Sequence, residues 1–193
     1  MSSERVEPTG RPGRYQRSAS GLIASLVVTV LVIGGVLFFL SAFRNDLEIE
    51  PDSIDYLEPV GAAQQAGLSP VYPASLPDGW IATGTDIEVQ DGRAFMLRML
   101  TDDERFVAVR REDASVTALL TRWVDEEVEV ADGYTVPDAV RRPVARTWNG
   151  YTDAGGDTAY AAEIGEDTVL VFGSASPEEL QDVVDSLVTT PLD

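Results

Sequence analysis

The sequence predicts an α+β protein: an N-terminal transmembrane helix, then one domain with a mostly antiparallel sheet of about six strands and flanking helices. Three observations carry that expectation. An uncharged apolar run fills residues 19–43. Downstream, strand-like segments are joined by short polar turns, which makes neighbouring strands antiparallel. Two further segments repeat apolar residues at helical spacing, so each has one face to lay on a sheet.

The apolar run comes first. No residue from Ala19 to Phe43 is charged, and Leu22 to Leu40 is almost wholly apolar. At about 1.5 Å per residue, about 20 helical residues cross a hydrocarbon core of about 30 Å. A cleaved signal peptide is the competing reading, but its apolar region is typically only about 7–15 residues. Arg11, Arg14 and Arg17 precede the run, whereas Arg44 is followed by Asp46, Glu48, Glu50 and Asp52. Positive charge beside a span stays on the cytoplasmic side. The expected layout in the plasma membrane is a basic cytoplasmic tail (1–18), a single span (19–43), an acidic juxtamembrane linker (44–59) and an extracytoplasmic domain (60–193). The lipid bilayer is then the first partner. Gly21, Ser25 and Thr29 fall on one face of the span, and small residues at that spacing let two helices approach closely. They are candidate contacts for a homodimer.

Charge divides along the chain. Residues 1–18 carry four Arg against Glu4 and Glu7, and the remainder carries ten Arg against thirty-one Asp and Glu. So acidic a surface repels phosphate backbones, and nucleic acid is not an expected partner.

In the outer chain, residues 60–67 form a short helix ended by Gly67. Pro70, Pro73 and Pro77 hold an extended path to the turn Pro77-Asp78-Gly79, after which Trp80 is placed to seal a core edge. Ala94 to Leu100 and Arg105 to Arg111 read as a hairpin. A helix follows with Val116, Leu119, Leu120, Trp123 and Val124 on one face and Asp113 as its cap. Val128 to Val130 and Val144 to Trp148 are further strand candidates. Thr158 to Ile164 and Thr168 to Gly173 make a second hairpin. Its helix places Leu180, Val183, Val184, Leu187 and Val188 at the same five offsets. Ser176, Pro177 and Glu179 mark that helix's start as a capping box. The two ββα units are compatible with an internal duplication or with convergence.

A two-residue turn at Asp102-Asp103 sets Arg98 opposite Val107 and Leu100 opposite Arg105. Arg98 and Arg105 then share a face with Met96, Leu100, Val107 and Val109. Phe95, Leu97, Met99, Phe106 and Ala108 fill the other, core face. Arg98 and Arg105 are therefore candidate contacts for an anionic ligand or an acidic partner, or else they pair with the domain's own carboxylates.

The ordered features resemble an actinobacterial single-pass membrane protein family, that of domain of unknown function 4245. The resemblance rests on Arg14-Tyr15-Gln16-Arg17-Ser18 leading into a span with Ser25-Leu26, and on Leu76-Pro77-Asp78-Gly79-Trp80. Arg146-Thr147-Trp148 and Gly173-Ser174-Ala175-Ser176 complete it. Family members tend to have an Asp-Met pair where this chain has Gly21-Leu22. The resemblance implies topology and source but no activity. The Pro-x-Gly-Trp turn and the element order are also similar to Mog1/PsbP-like domains, which have an antiparallel sheet with flanking helices.

Absent residue types narrow the chemistry. The chain has no His, Lys or Cys, so it can build no disulfide, Ser-His-Asp triad, Cys-His pair, Schiff base or ordinary zinc site. No cofactor and no metal are expected. Asp153 and Asp157 bracket a Gly-rich loop and are candidate oxygen ligands for calcium, although their spacing matches no established calcium loop; the alternative is a flexible hairpin connection. The leading expectation is a non-enzymatic, cell-envelope interaction domain with another envelope protein or component as partner. The alternative is a small-molecule or lipid ligand-binding domain, and a carboxylate-based glycan hydrolase comes third.

Overall fold

The computed structural model describes residues 26–36, 52–90 and 92–192. The chain divides into two units, Met1–Glu50 and Pro51–Asp193. In the first, residues 26–36 form a helix, α1. Its large apolar side chains are all exposed, from 51% at Val27 to 69% at Leu31. Among the described residues no helix is long and apolar enough to cross a membrane. The rest of the expected span, with Gly21 and Ser25, lies outside the described residues, and Thr29 lies within α1.

The second unit runs α2 (Leu57–Gln65), β1 (Tyr72–Pro73), β2 (Ile81–Glu88), β3 (Ala94–Leu100), β4 (Phe106–Glu112), α3 (Val116–Trp123), β5 (Glu129–Thr135), β6 (Thr147–Thr152), β7 (Thr158–Ile164), β8 (Asp167–Gly173), α4 (Pro177–Ser186) and β9 (Leu187–Val188). Seven strands form one sheet in the order β2-β3-β4-β8-β7-β6-β5, and every neighbouring pair is antiparallel. β1 and β9 make a separate two-stranded pair. The α+β class and the antiparallel sheet are as expected, with seven strands rather than six. The additional strand is β2. Its half-exposed sequence, interrupted by Gly84 and Asp86, lacks the apolar alternation that marks a strand.

Alternation in β3, β4, β7 and β8 gives the sheet two apolar faces and the domain two cores. One face carries Phe95, Leu97, Met99, Val107, Val109, Val169 and Val171, covered by Leu180, Val183 and Val184 of α4 and by Val60 and Ala63 of α2. The other carries Met96, Ala108, Ala159, Ala161, Leu170 and Phe172, covered by Leu119 and Leu120 of α3. The two ββα units thus send their helices to opposite faces. A two-fold rotation superposing β3-β4 on β7-β8, with β4 beside β8, would put both helices on one face. The fold therefore argues against a simple duplication.

Several local expectations need correction. The first hairpin does not turn in two residues. Thr101 donates its N–H to the Arg105 carbonyl at 2.9 Å, and Glu104 takes a left-handed φ of 58°, which makes a three-residue loop. One extra residue moves the register by one, so Arg98 faces Ala108 and Leu97 faces Val109. That slip turns every β4 side chain to the other face. Val107 and Val109 join Phe95, Leu97 and Met99, while Phe106 and Ala108 leave them.

Helix ends differ too. Ser115 caps α3, its side chain accepting from the Ala118 N–H at 3.3 Å, so Asp113 is not the cap. α4 has the expected capping box but stops at Ser186. Leu187 and Val188 turn extended to pair with Pro73 and Tyr72, and Ala74 N–H binds the Ser186 carbonyl at 2.9 Å. α2 begins at Leu57, earlier than its apolar pattern indicated. Tyr56 is buried, and Ile54 packs on the same core. Trp80 packs against the core edge as expected.

Candidate functional site

Register decides the fate of the predicted arginines. Arg98 and Arg105 do not share a face. Arg98 lies on the α3 side of the sheet, over Gly84, where an added Cβ would sit 2.8 Å from its guanidinium. It pairs with Asp86 at 3.1 Å. Arg105 lies on the α4 side and reaches Glu179 at 3.0 Å. Both are engaged by the domain's own carboxylates, and the structure brings neither to the other.

The sheet's charged interior lies elsewhere, on residues the sequence reading did not single out. Arg110 is 1% exposed. Its Nε donates to Glu112 Oε2 at 2.6 Å, its Nη2 donates to Glu88 at 2.9 Å, and its guanidinium stacks 4.4 Å from the Trp123 ring centre. Arg122 from α3 binds the other oxygen of Glu112 at 2.6 Å. The cluster is balanced, two guanidiniums against two carboxylates, and it joins α3 to the β2–β4 end of the sheet. Its inner pair, Arg110 and Glu112, is buried, while Glu88 and Arg122 are half exposed.

A second arginine group is open to solvent. A cleft of about 870 Å³ is lined by Ser69, Arg111, Arg141, Arg142, Pro143, Val144, Ile164 and the segment from Val188 to Pro191. Its walls come from distant parts of the chain. The loop carrying Arg141 and Arg142 is closed by Val136 N–H on the Arg146 carbonyl at 3.0 Å and by the Arg146 side chain on Val136 O at 3.2 Å. The wall after β9 is fixed by Tyr72 Oη and Gln64 Nε2, which donate to Thr190 O at 2.6 and 2.9 Å. Arg111, at the end of β4, is held by Asp167 at 2.7 Å and by Ser69 O at 2.8 Å. Beside the cleft lies a smaller one of about 340 Å³, and Ser69, Arg111 and Ile164 line both.

Electrostatics single out the larger cleft. Residues 51–193 hold nine Arg against twenty-eight Asp and Glu, yet every charged residue among the described ones lining that cleft is Arg. With Arg111 neutralised by Asp167, Arg141 and Arg142 supply the remaining positive charge. Among the described residues neither makes an ion pair, nor does Arg93, which binds the Gly67 carbonyl, unlike Arg98, Arg105, Arg110, Arg111, Arg122 and Arg146. Arg142 also holds a left-handed φ of 55°. A non-glycine residue there costs about 1–2 kcal/mol. Arg93 and Glu104 hold the same region, Glu104 in the β3–β4 turn. Among the described residues lining this cleft there is no carboxylate, whereas the smaller cleft beside it is lined by Asp113, Glu166 and Asp167.

Other predicted acids are less telling. Asp153 Oδ1 accepts the Asp157 N–H at 2.9 Å, which closes the β6–β7 turn. Burial, with Asp153 nearby, pushes the Asp157 carboxyl up. Among the described residues no three acids form a group able to hold a metal ion. One signal for the cleft was available in the sequence: residues 139–152 carry three Arg and no acid, in a domain where acids otherwise dominate. The convergence of that stretch with Thr189 and Thr190 is tertiary and has no sequence mark.

No curated protein matches the sequence. A family model described as protein of unknown function (DUF4245) matches residues 14–187. That match takes in the arginine-rich lead, the apolar run, the whole seven-stranded sheet and α4, and the chain belongs to the DUF4245 family.

Proposed function

We propose that this protein is a membrane-anchored, extracytoplasmic binding domain, not an enzyme, and that it captures an anionic group of another envelope component in the cleft at Arg141 and Arg142. The observation that carries the reading is a pair of arginines with no ion pair among the described residues, in a cleft none of whose described lining residues is acidic, on an otherwise strongly acidic domain. Arginine presents a rigid donor fork suited to carboxylate and phosphate. A local positive site within a negative surface also selects among anions, because the surrounding field repels those that do not fit. The anchor rests on the uncharged run of residues 19–43 and on its flanking charges, with an exposed apolar α1 inside it. Orientation rests on Arg11, Arg14 and Arg17.

The test is photocrosslinking in intact cells, with a photoreactive residue at Thr189 on the cleft wall. The expected result is a defined adduct that disappears when Arg141→Glu and Arg142→Glu are combined. An adduct pattern unchanged by that double substitution would remove the cleft from the function.

A further inference from the structure

We propose that the anionic ligand is a phosphate group carried on a small apolar body. The inference rests on the reading of the cleft as an anion site and names the chemical class of what enters it. Charge is the first reason. Two arginines can serve a single carboxylate, as Arg110 and Arg122 serve Glu112, but one carboxylate leaves a pair of guanidiniums only half neutralised. Ser69, Thr189 and Thr190 add three exposed hydroxyls on the same cleft. A phosphate monoester has three terminal oxygens and a charge of about −1.5 to −2 at neutral pH, matching the two arginines in charge and giving the hydroxyls further acceptors.

The apolar body is the second reason. Val144, Ile164 and Val188 line the cleft beside the arginines, each only partly buried by the domain itself. The volume of about 870 Å³ lies within the roughly 300–1,000 Å³ of small-ligand sites and exceeds what a bare phosphate fills.

The experiment uses the full chain in phosphatidylcholine nanodiscs, with binding followed by titration calorimetry. Four probes are compared: dihexanoyl phosphatidic acid, the hemisuccinate of dihexanoylglycerol, dihexanoyl phosphatidylcholine and inorganic phosphate. The expected result is saturable one-to-one binding of the phosphatidic acid, at least tenfold tighter than each of the others. Arg141→Gln with Arg142→Gln should weaken it tenfold or more, while Arg98→Gln, on a pair outside the cleft, should leave it unchanged. Equal binding of the hemisuccinate would overturn the phosphate class and leave the anion site standing. Equal binding of inorganic phosphate would overturn the apolar body. Binding of no probe, or binding indifferent to the double substitution, would overturn both this inference and the anion reading.

Discussion

Arg110 and Glu112 stand two residues apart on β4, both on the sheet face under α3, and bond Nε to Oε2 at 2.6 Å. Their side chains are 1% and 6% exposed. Burying two charges is costly, and the attraction between them roughly offsets that cost when geometry is good. Removing one partner leaves the other charged and dry. Glu112→Gln should therefore destabilise the domain by about 3–5 kcal/mol, read by urea denaturation. Glu112 also receives Arg122, which is half exposed, so its loss leaves the buried Arg110 with Glu88 as its remaining carboxylate. Joint replacement, Arg110→Met with Glu112→Leu, should cost less than Glu112→Gln alone. A double variant that loses at least the sum of the two single losses would show that the pair is not acting as a unit.

The β3–β4 turn gives a second prediction. Glu104 holds φ at 58°, where a side chain costs about 1–2 kcal/mol and glycine adopts the same backbone freely. Part of the gain is lost to the greater freedom of an unfolded glycine. Glu104→Gly should stabilise by about 0.5–1 kcal/mol on balance. A destabilised variant would mean that the turn is not the three-residue loop.

That same residue explains what could be read from the sequence and what could not. β3 and β7 were legible to the residue, because apolar and β-branched runs end at polar turns. α4 was legible from Ser176, Pro177 and Glu179, which set out a capping box in order. The register of β4 was not legible, since Glu104 is neither Gly nor Asn and gives no sign of left-handed backbone. One unmarked turn residue thus moved Arg105 from the face of Arg98 to the opposite face. β2 escaped because it is held by pairing with β3 rather than by its own pattern. The end of α4 escaped because Leu187 satisfies the core equally well from an extended conformation. The cleft was least legible, being assembled from the ends of β4 and β7, the loop before β6 and the chain after β9.

The α4 cap should also report on pH. Ser176 donates to Glu179 Oε2 through both N–H and Oγ–H, at 2.7 and 2.6 Å. The Ser176 hydroxyl, helped by its N–H and by Arg105, holds the Glu179 carboxyl below its ordinary 4.5 against the opposing effect of burial. A carboxylate favoured in the folded state stabilises fully above its unfolded value and loses that contribution as pH falls through the folded one. Ser176→Ala should cost about 1 kcal/mol at neutral pH and less in acid, once Glu179 is protonated. An equal cost at pH 7 and pH 3 would detach the cap from Glu179's charge.

At the alkaline end the informative group is Tyr134. Its hydroxyl donates to both carboxylate oxygens of Asp185 on α4, at 3.1 and 3.0 Å. Burial and then this hydrogen bond to Asp185 push its pKa from 10.0 up to about 12. A phenol raised in the folded state contributes stability fully below its unfolded value of about 10. It loses that contribution as pH climbs from there towards the folded value. β5 lies at the sheet edge and this bond ties it to α4, so the loss should appear as loosening of β5–β6. The prediction has two readouts. Tyrosinate absorbance should show a late-titrating ring that Tyr134→Phe removes. Amide exchange in β5 and β6 should accelerate between pH 10 and 12 in the parent and be already faster at pH 8 in the variant. Loss of an early-titrating ring instead, with exchange unchanged at pH 8, would mean that Tyr134 does not hold the edge strand.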